Sequence, residues 1–466
     1  MKTNRNRRHG AIIIVTMLVV FTLASIVLVL CGTMRVESMS SANLSSTLQA
    51  ASIERGAEQY VIALLTEEKT TLSTLTDNDF AQVPVGDGYF WIIRPNYGDA
   101  NLPYVGLTEE NAKLNINTAT YESLMRLPNM TDDVATAIVS WRGGTATGSS
   151  SGADDSYYSS LSDPYQPKKG AFETVEELLL VQGMSRQLLY GDGSPDPLGQ
   201  QSNIGTGAAG GQPGADLVNV HGIYDFLTVN STEAAGTGQK VNISDRNSRT
   251  ALQTLLENKL TDKSRAAAIM TQLGRDTYND VFDFYFGVKM TSDEFGKIYD
   301  SITATATNTV TPARPPTGGA TAAAAPVKGL ININTAPRDV LFCIPGLESS
   351  DVDSLISARQ GTAAGATNIA WIVDVLDQKK CHGLASKITG KSSQYSADIV
   401  AVSGDGRSFK RVRIVVDASS TSPQIVYRRD LSDRSWPMNP QILTLLRSGQ
   451  GMVSLTGTRM SGGMTR

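Results

Sequence analysis

The sequence predicts an α+β fold: a long N-terminal helix on a small antiparallel sheet, with a large, mostly helical insert before the closing strands. Three observations carry this. The chain opens on an uncharged run from Ala11 to Met34. A helical pattern recurs in its interior. Alternating strand patterns stand only near residue 90 and beyond residue 390.

The opening run comes first. Its strongly apolar part, Ala11 to Cys31, spans roughly 30 Å as a helix, the thickness of one bilayer core. A cleavable secretion signal has a shorter apolar region with its small-residue cleavage site behind it. Here the small residue, Gly10, stands in front. Cleavage between Gly10 and Ala11 would leave the apolar segment as the new N-terminus. Lys2, Arg5, Arg7 and Arg8 precede the span, and Arg35 and Glu37 nearly cancel after it. The N-terminus is therefore expected in the cytoplasm, with the remainder outside the inner membrane.

The interior carries a repeat. "NINTATYESLMRLPNMTDDVATAIVSWRGG" from Asn115 and "NINTAPRDVLFCIPGLESSDVDSLISARQG" from Asn332 align without a gap at an offset of 217. A weaker third copy starts at Asn242 with "NISDRNSRTALQTLLENKLTDKSRAAAIMTQL". Each strong copy predicts a helix, a tight turn and a second helix. Thr118 and Thr335 stand where an N-cap is expected, and the first helix should end before Pro128 or Pro345. Val134, Ile138 and Trp141, and in the later copy Val352, Leu355 and Ile356, give the second helices their apolar face. Glycines at 143–144 and 361 end them. The pattern is a helix-hairpin-helix. "AFETVEELLLVQGMSRQLLYG" from Ala171 adds a helical unit with Phe172, Val175, Leu178 and Leu179 on its apolar face.

Strands are expected in "DGYFWIIRP" from Asp87, in two alternating runs around the "GDGR" turn at Gly404, and in "PQIVYRRDL". Stretches of small and polar residues from Gly143, Gly199 and Thr303 bury too little to form a core and are expected to be loops or connections.

Composition narrows the function. A chain of 466 residues allows two to four domains, and a net charge of −4 excludes a general pull toward nucleic acid. No nucleophile elbow, paired-histidine metal motif or phosphate loop occurs, so an enzyme is not expected. Cys343 and Cys381 stand either as a disulfide pair in an oxidising compartment or as two buried thiols; both alternatives stay open. The acidic pairs Glu109–Glu110 and Glu176–Glu177 are expected as surface charges at helix starts.

This order of segments, with "RRHGAIIIVTMLVVF", "LNINTAT", "FETVEELLLVQGMSRQLLYG", "YDFLTVNS" and "LININTAPRDVLFCIPGL", resembles the minor pseudopilin K (GspK-like) family of type II secretion systems over roughly residues 5–435. The resemblance implies a pilin-like fold whose insert holds helix-hairpin-helix (SAM-like) repeats. It divides the chain into a prepilin leader (1–10), a transmembrane and N-terminal pilin helix (11–65) and a first-strand region (66–105). The first part of the helical insert (106–302), a low-complexity linker (303–328), a second helix-hairpin-helix (329–392), a closing sheet (393–435) and a tail (436–466) follow. Prepilin peptidase would cut between Gly10 and Ala11, and the new amino group would be methylated.

Most pilins carry glutamate as the fifth mature residue, where it neutralises a neighbour's N-terminal ammonium in the bilayer. Here that position is Val15. The K pseudopilin also lacks the glutamate, and the family places it at the filament tip. The resemblance implies a structural role: initiating pseudopilus assembly and helping protein export across the outer membrane. It implies I- and J-like pseudopilins, prepilin peptidase and the inner-membrane platform as partners, with Ala24, Ser25 and Gly32 as small contacts in the span or as lipid-facing filler. Relatives bind Ca²⁺ in the helical part. Asp192, Ser194 and Asp196 show the opening spacing of an oxygen-ligand loop, although the terminal glutamate is absent and Pro195 and Pro197 fit a plain turn equally well. Two alternatives stand beside this one. The leader fits a minor pilin of a type IV pilus, and the hairpins invite a membrane-anchored DNA-binding protein. Against DNA, the turns lack paired glycines, and Asp132, Asp133, Glu348 and Asp351 would repel phosphate.

Overall fold

The computed structural model describes residues 6–67, 75–95, 104–144, 155–191, 222–233, 240–260, 262–274, 276–304, 327–361, 368–434, 436–438 and 441–448. The stretch from Gly199, most of the stretches from Gly143 and Thr303, and the chain beyond Ser448 lie outside these residues.

Helix α1 runs Asn6–Glu67 as one piece. Its C-terminal third buries Ala50, Ile53, Ala57, Val61 and Leu65, spaced three or four residues apart, on a seven-stranded sheet. The strands are β1 (Val83–Val85), β2 (Gly88–Arg94), β3 (Tyr104–Val105), β4 (Thr108–Glu109), β5 (Gln394–Val402), β6 (Phe409–Asp417) and β7 (Gln424–Asp430). The main path is β1-β2-β5-β6-β7, with β3 beside β2 and β4 beside β5, all antiparallel. Ala397, Ile399 and Ala401 of β5 face α1, and the two alanines let the helix approach closely. Gly88 is required for the same reason: a Cβ there would lie 2.4 Å from both Ile53 Cδ1 and Val402 O.

Three helix pairs build the insert, called the head below. They are α2 (Tyr121–Met125) with α3 (Asp132–Trp141), α4 (Arg249–Lys259) with α5 (Lys263–Leu273), and α6 (Arg338–Phe342) with α7 (Ser349–Gln360). Each pair is closed by a two-residue parallel bridge from its opening strand to a strand well downstream. Leu114–Asn115 pairs with Leu227–Thr228, Val241–Asn242 with Ile302–Thr303, and Ile331–Asn332 with Ile388–Thr389. The repeated asparagine acts alike in all three. The Oδ1 atoms of Asn115, Asn242 and Asn332 accept the N–H of the residue two ahead, at 2.9, 2.9 and 3.0 Å. This turn displaces the expected caps. The N-cap residues are Thr120 and Pro337, not Thr118 and Thr335, because residues 115–119 close on themselves through Ala119 N–H to Asn115 O, 2.8 Å. Arg142 and Arg359, also 217 apart, complete the first and last copies by donating back to the carbonyls of Ile116 and Ala119, and of Ile333 and Ala336. At the hairpin tips the left-handed position falls on Asn129 (φ 56°) and on its counterpart Gly346 (φ 99°).

The segment expected as a tail contains α8 (Gln441–Arg447). With Trp436 and Met438 it covers the sheet face opposite α1, where Met438, Ile442 and Leu446 meet Trp91, Ile93, Val400 and Val402. The sheet is thus the middle layer of three, and β5 is buried on both faces.

Candidate assembly surface: the anchor helix and the sheet–head junction

By length and composition α1 alone, among the described residues, is apolar enough to cross a membrane. Gly10 and Ala11 lie within its helical backbone. Val15 is 61% exposed, and exposed apolar side chains continue to Leu48. Between Cys31 and Ser46, the first buried residue, the helix runs about 22 Å without buried side chains.

The globular part then grips α1 through polar contacts. Ser46 Oγ donates to Asp405 Oδ2 at 2.6 Å, and Gly404 N–H to Gln49 Oε1 at 3.3 Å, so the β5–β6 turn holds the helix where it reaches the sheet. Further along, Arg428 of β7 donates to Glu54 Oε1 and Glu58 Oε1, both at 2.7 Å. Burial, and then the adjoining Glu58, push the Glu54 carboxyl above its usual range, while Arg428 opposes them.

Charged residues also line the junction of sheet and head. Asp398 of β5, 6% exposed, receives a two-pronged guanidinium from Arg411 at 2.9 and 2.6 Å and a third bond from Arg413 at 3.2 Å. Burial alone would raise its carboxyl; Arg411 and Arg413 hold it below the ordinary aspartate range. Arg413 reaches on to Asp225 at 3.8 Å and lies over the Tyr224 ring at 5.2 Å. Arg429 of β7 pairs with Glu176, which also accepts from Tyr224 Oη at 2.7 Å.

The acidic pairs therefore sit at helix starts as expected, but they are not surface charges. Glu110 is buried and takes Thr228 Oγ1 and Lys113 Nζ, while Glu109 accepts from Asn332 Nδ2 and from Thr335 Oγ1 at 2.9 Å. Consecutive carboxylates thus tie the sheet to the first and the last head copies. Glu177 accepts from Trp141 Nε1 at 3.0 Å. Sequence spacing gave little sign of these roles, because apart from Lys113 every partner is remote in the chain.

Burial raises the Glu109 carboxyl, and the bonds from Thr335 and Asn332 only partly offset it. An acid whose folded pKa is raised is costly once ionised, so its contribution to stability falls as pH climbs from the unfolded toward the folded value. Glu109→Gln keeps an oxygen acceptor and removes the charge. It should melt higher than wild type at pH 7.5 and alike at pH 4; equal melting temperatures at both would refute this account.

Cys343 and Cys381 are both buried free thiols, and Cys31 is exposed in the span. Cys343 Sγ donates to Asp339 O at 3.2 Å and Cys381 Sγ to Leu376 O at 3.6 Å. Burial pushes both thiols up to about 12. Asp192, Ser194 and Asp196, the calcium candidates, lie outside the described residues. Among the described residues no group of three His, Cys, Asp or Glu side chains could hold a metal.

At the first hairpin the partly buried Arg126 pairs with Glu122 at 3.0 Å and also reaches across to the last copy. Its Nη1 donates to the carbonyls of Phe342, Ile344 and Leu347 at 3.2, 3.1 and 2.7 Å, joining the tips of the first and last copies.

No curated protein matches the chain. Among solved structures it is similar to a chain of the GspK–GspI–GspJ complex from the enterotoxigenic Escherichia coli type 2 secretion system. The identity is 11%, covering 85% of this chain and 99% of that one, with a TM-score of 0.35, too low to carry a conclusion. Residues 94–190 match the family described as type II secretion system protein K. That match runs from the last residue of β2 through α2, α3 and the unit ending at Tyr190, about a fifth of the chain.

Proposed function

We propose that this chain is a minor pseudopilin of a type II secretion system. It is held in the inner membrane by α1, with its N-terminus in the cytoplasm and its head in the periplasm. It stands at the pseudopilus tip, where it initiates assembly and helps protein export across the outer membrane. The observation that carries this reading is the protein K match over residues 94–190 on a chain whose N-terminal helix is long and apolar enough to span a bilayer.

Two physical features support the tip position. Val15 supplies no carboxylate for the ammonium of a following subunit, so serial stacking lacks its acidic contact. The head adds bulk above the sheet that a repeating filament subunit would have to accommodate. Neighbouring helices resembling the I and J pseudopilins would pack along the exposed length of α1, where close van der Waals contact replaces the hydrophobic effect. Prepilin peptidase and the inner-membrane platform complete the expected partners. The DNA-binding reading gains nothing at the first hairpin, where Arg126 Nη1 donates to three backbone carbonyls and Nη2 to Glu122.

Intact-mass measurement of the membrane-extracted protein tests the processing class. The expected product lacks the first ten residues and carries an added methyl group. Gly10→Val should abolish that loss, and normal processing of the variant would overturn the assignment.

A further inference from the structure

The apolar interior is divided into three separate cores. One lies wholly within the head, one between α1 and the sheet, and one between α8 and the sheet. Among the described residues, none of them crosses from the head into the sheet. The chain enters the head after β4 and returns into β5, and these two strands are neighbours, with Glu109 opposite Tyr395 and Thr108 opposite Ser396. Ser392 Oγ donates to Asn111 Oδ1 at 3.2 Å, so the two crossings also touch beside the sheet. The head therefore hangs from one corner. Away from that corner it meets the sheet through polar groups. Arg413 reaches Asp225 and Tyr224, Arg429 reaches Glu176, and Arg434 lies 5.2 Å over the Tyr190 ring.

From this geometry we infer that the head is a separately folded body that pivots at the β4–β5 corner, and that these arginine contacts form a clasp releasing it from β6–β7 without unfolding. A seam without a shared apolar core leaves relative motion as the default. The clasp opposes it through a few charged pairs, each of which loses its partner when one side is neutralised. Asp398 remains with the sheet in either position and keeps Arg411 and Arg413 neutralised there. The inference rests on the fold and stands apart from the secretion reading.

Distance measurement between two spin labels in the full chain, in detergent, tests it. One label is placed at Ser422→Cys, on the exposed turn before β7, and the other at Lys263→Cys, exposed at the start of α5. Both are made in a Cys31→Ser background. The parent should give a single narrow distance. Glu176→Gln combined with Asp225→Asn on the head side should add a second, longer population, with the far-ultraviolet helix signal unchanged. Arg429→Gln on the sheet side should reproduce it. Distributions that coincide with the parent in both variants would overturn the proposal. So would broadening that appears only with loss of helix signal, because that is unfolding and not release.

Discussion

Replacing Asp398 by asparagine should lower the stability of the protein by about 3–5 kcal/mol, the usual effect of removing one member of a buried ion pair. Asparagine preserves the shape and one acceptor, so the substitution isolates the charge. It leaves Arg411 and Arg413, 14% and 18% exposed, without their shared carboxylate. The pH dependence distinguishes this cause from a packing defect. The folded carboxyl lies below its ordinary range, so its contribution is fully present above the unfolded value near 4 and is lost as pH falls through the folded one. The gap between wild type and variant, measured by urea unfolding of the detergent-solubilised chain, should be constant from pH 6 to 8 and shrink toward pH 3. A gap that persists unchanged at low pH would show that charge is not what Asp398 contributes.

Ending the chain after Arg434 should be as damaging. It removes Met438, Ile442 and Leu446, each nearly fully buried, together with Trp436. At about 1.5–3 kcal/mol for each large apolar side chain buried, the loss is comparable with the whole stability of an ordinary domain. It also uncovers Trp91, Ile93, Val400 and Val402 on the face of the sheet. The expected result is an aggregating or protease-sensitive product. Comparison with a chain ending at Ser448 assigns the effect to α8. Wild-type melting of the shorter chain would mean that this face does not depend on α8.

Much of the architecture was legible in the residues. The apolar run from Ala11 marks α1, the alternation around Gly404 marks β5 and β6, and the 217-residue offset places α2–α3 and α6–α7 in register. The cap positions were misplaced by two residues, since the asparagine turn that opens each copy looks locally like the start of a helix. The C-terminal helix was read as tail because Met438, Ile442 and Leu446 are too few to declare a period, although their four-residue spacing was the available signal.

What the sequence determined by itself is whatever a single stretch of chain can enforce: a rod long and apolar enough for a bilayer, the periods of strands and helices, and a repeated hairpin. The tertiary structure alone decided which charges became structural. Glu109, Glu110, Glu176 and Asp398 look like ordinary surface acids in the chain, yet each meets a partner between 3 and 253 residues away and most are enclosed between sheet and head. Burial of a carboxylate and the nearness of its guanidinium are properties of packed space, and no local pattern of residues encodes them.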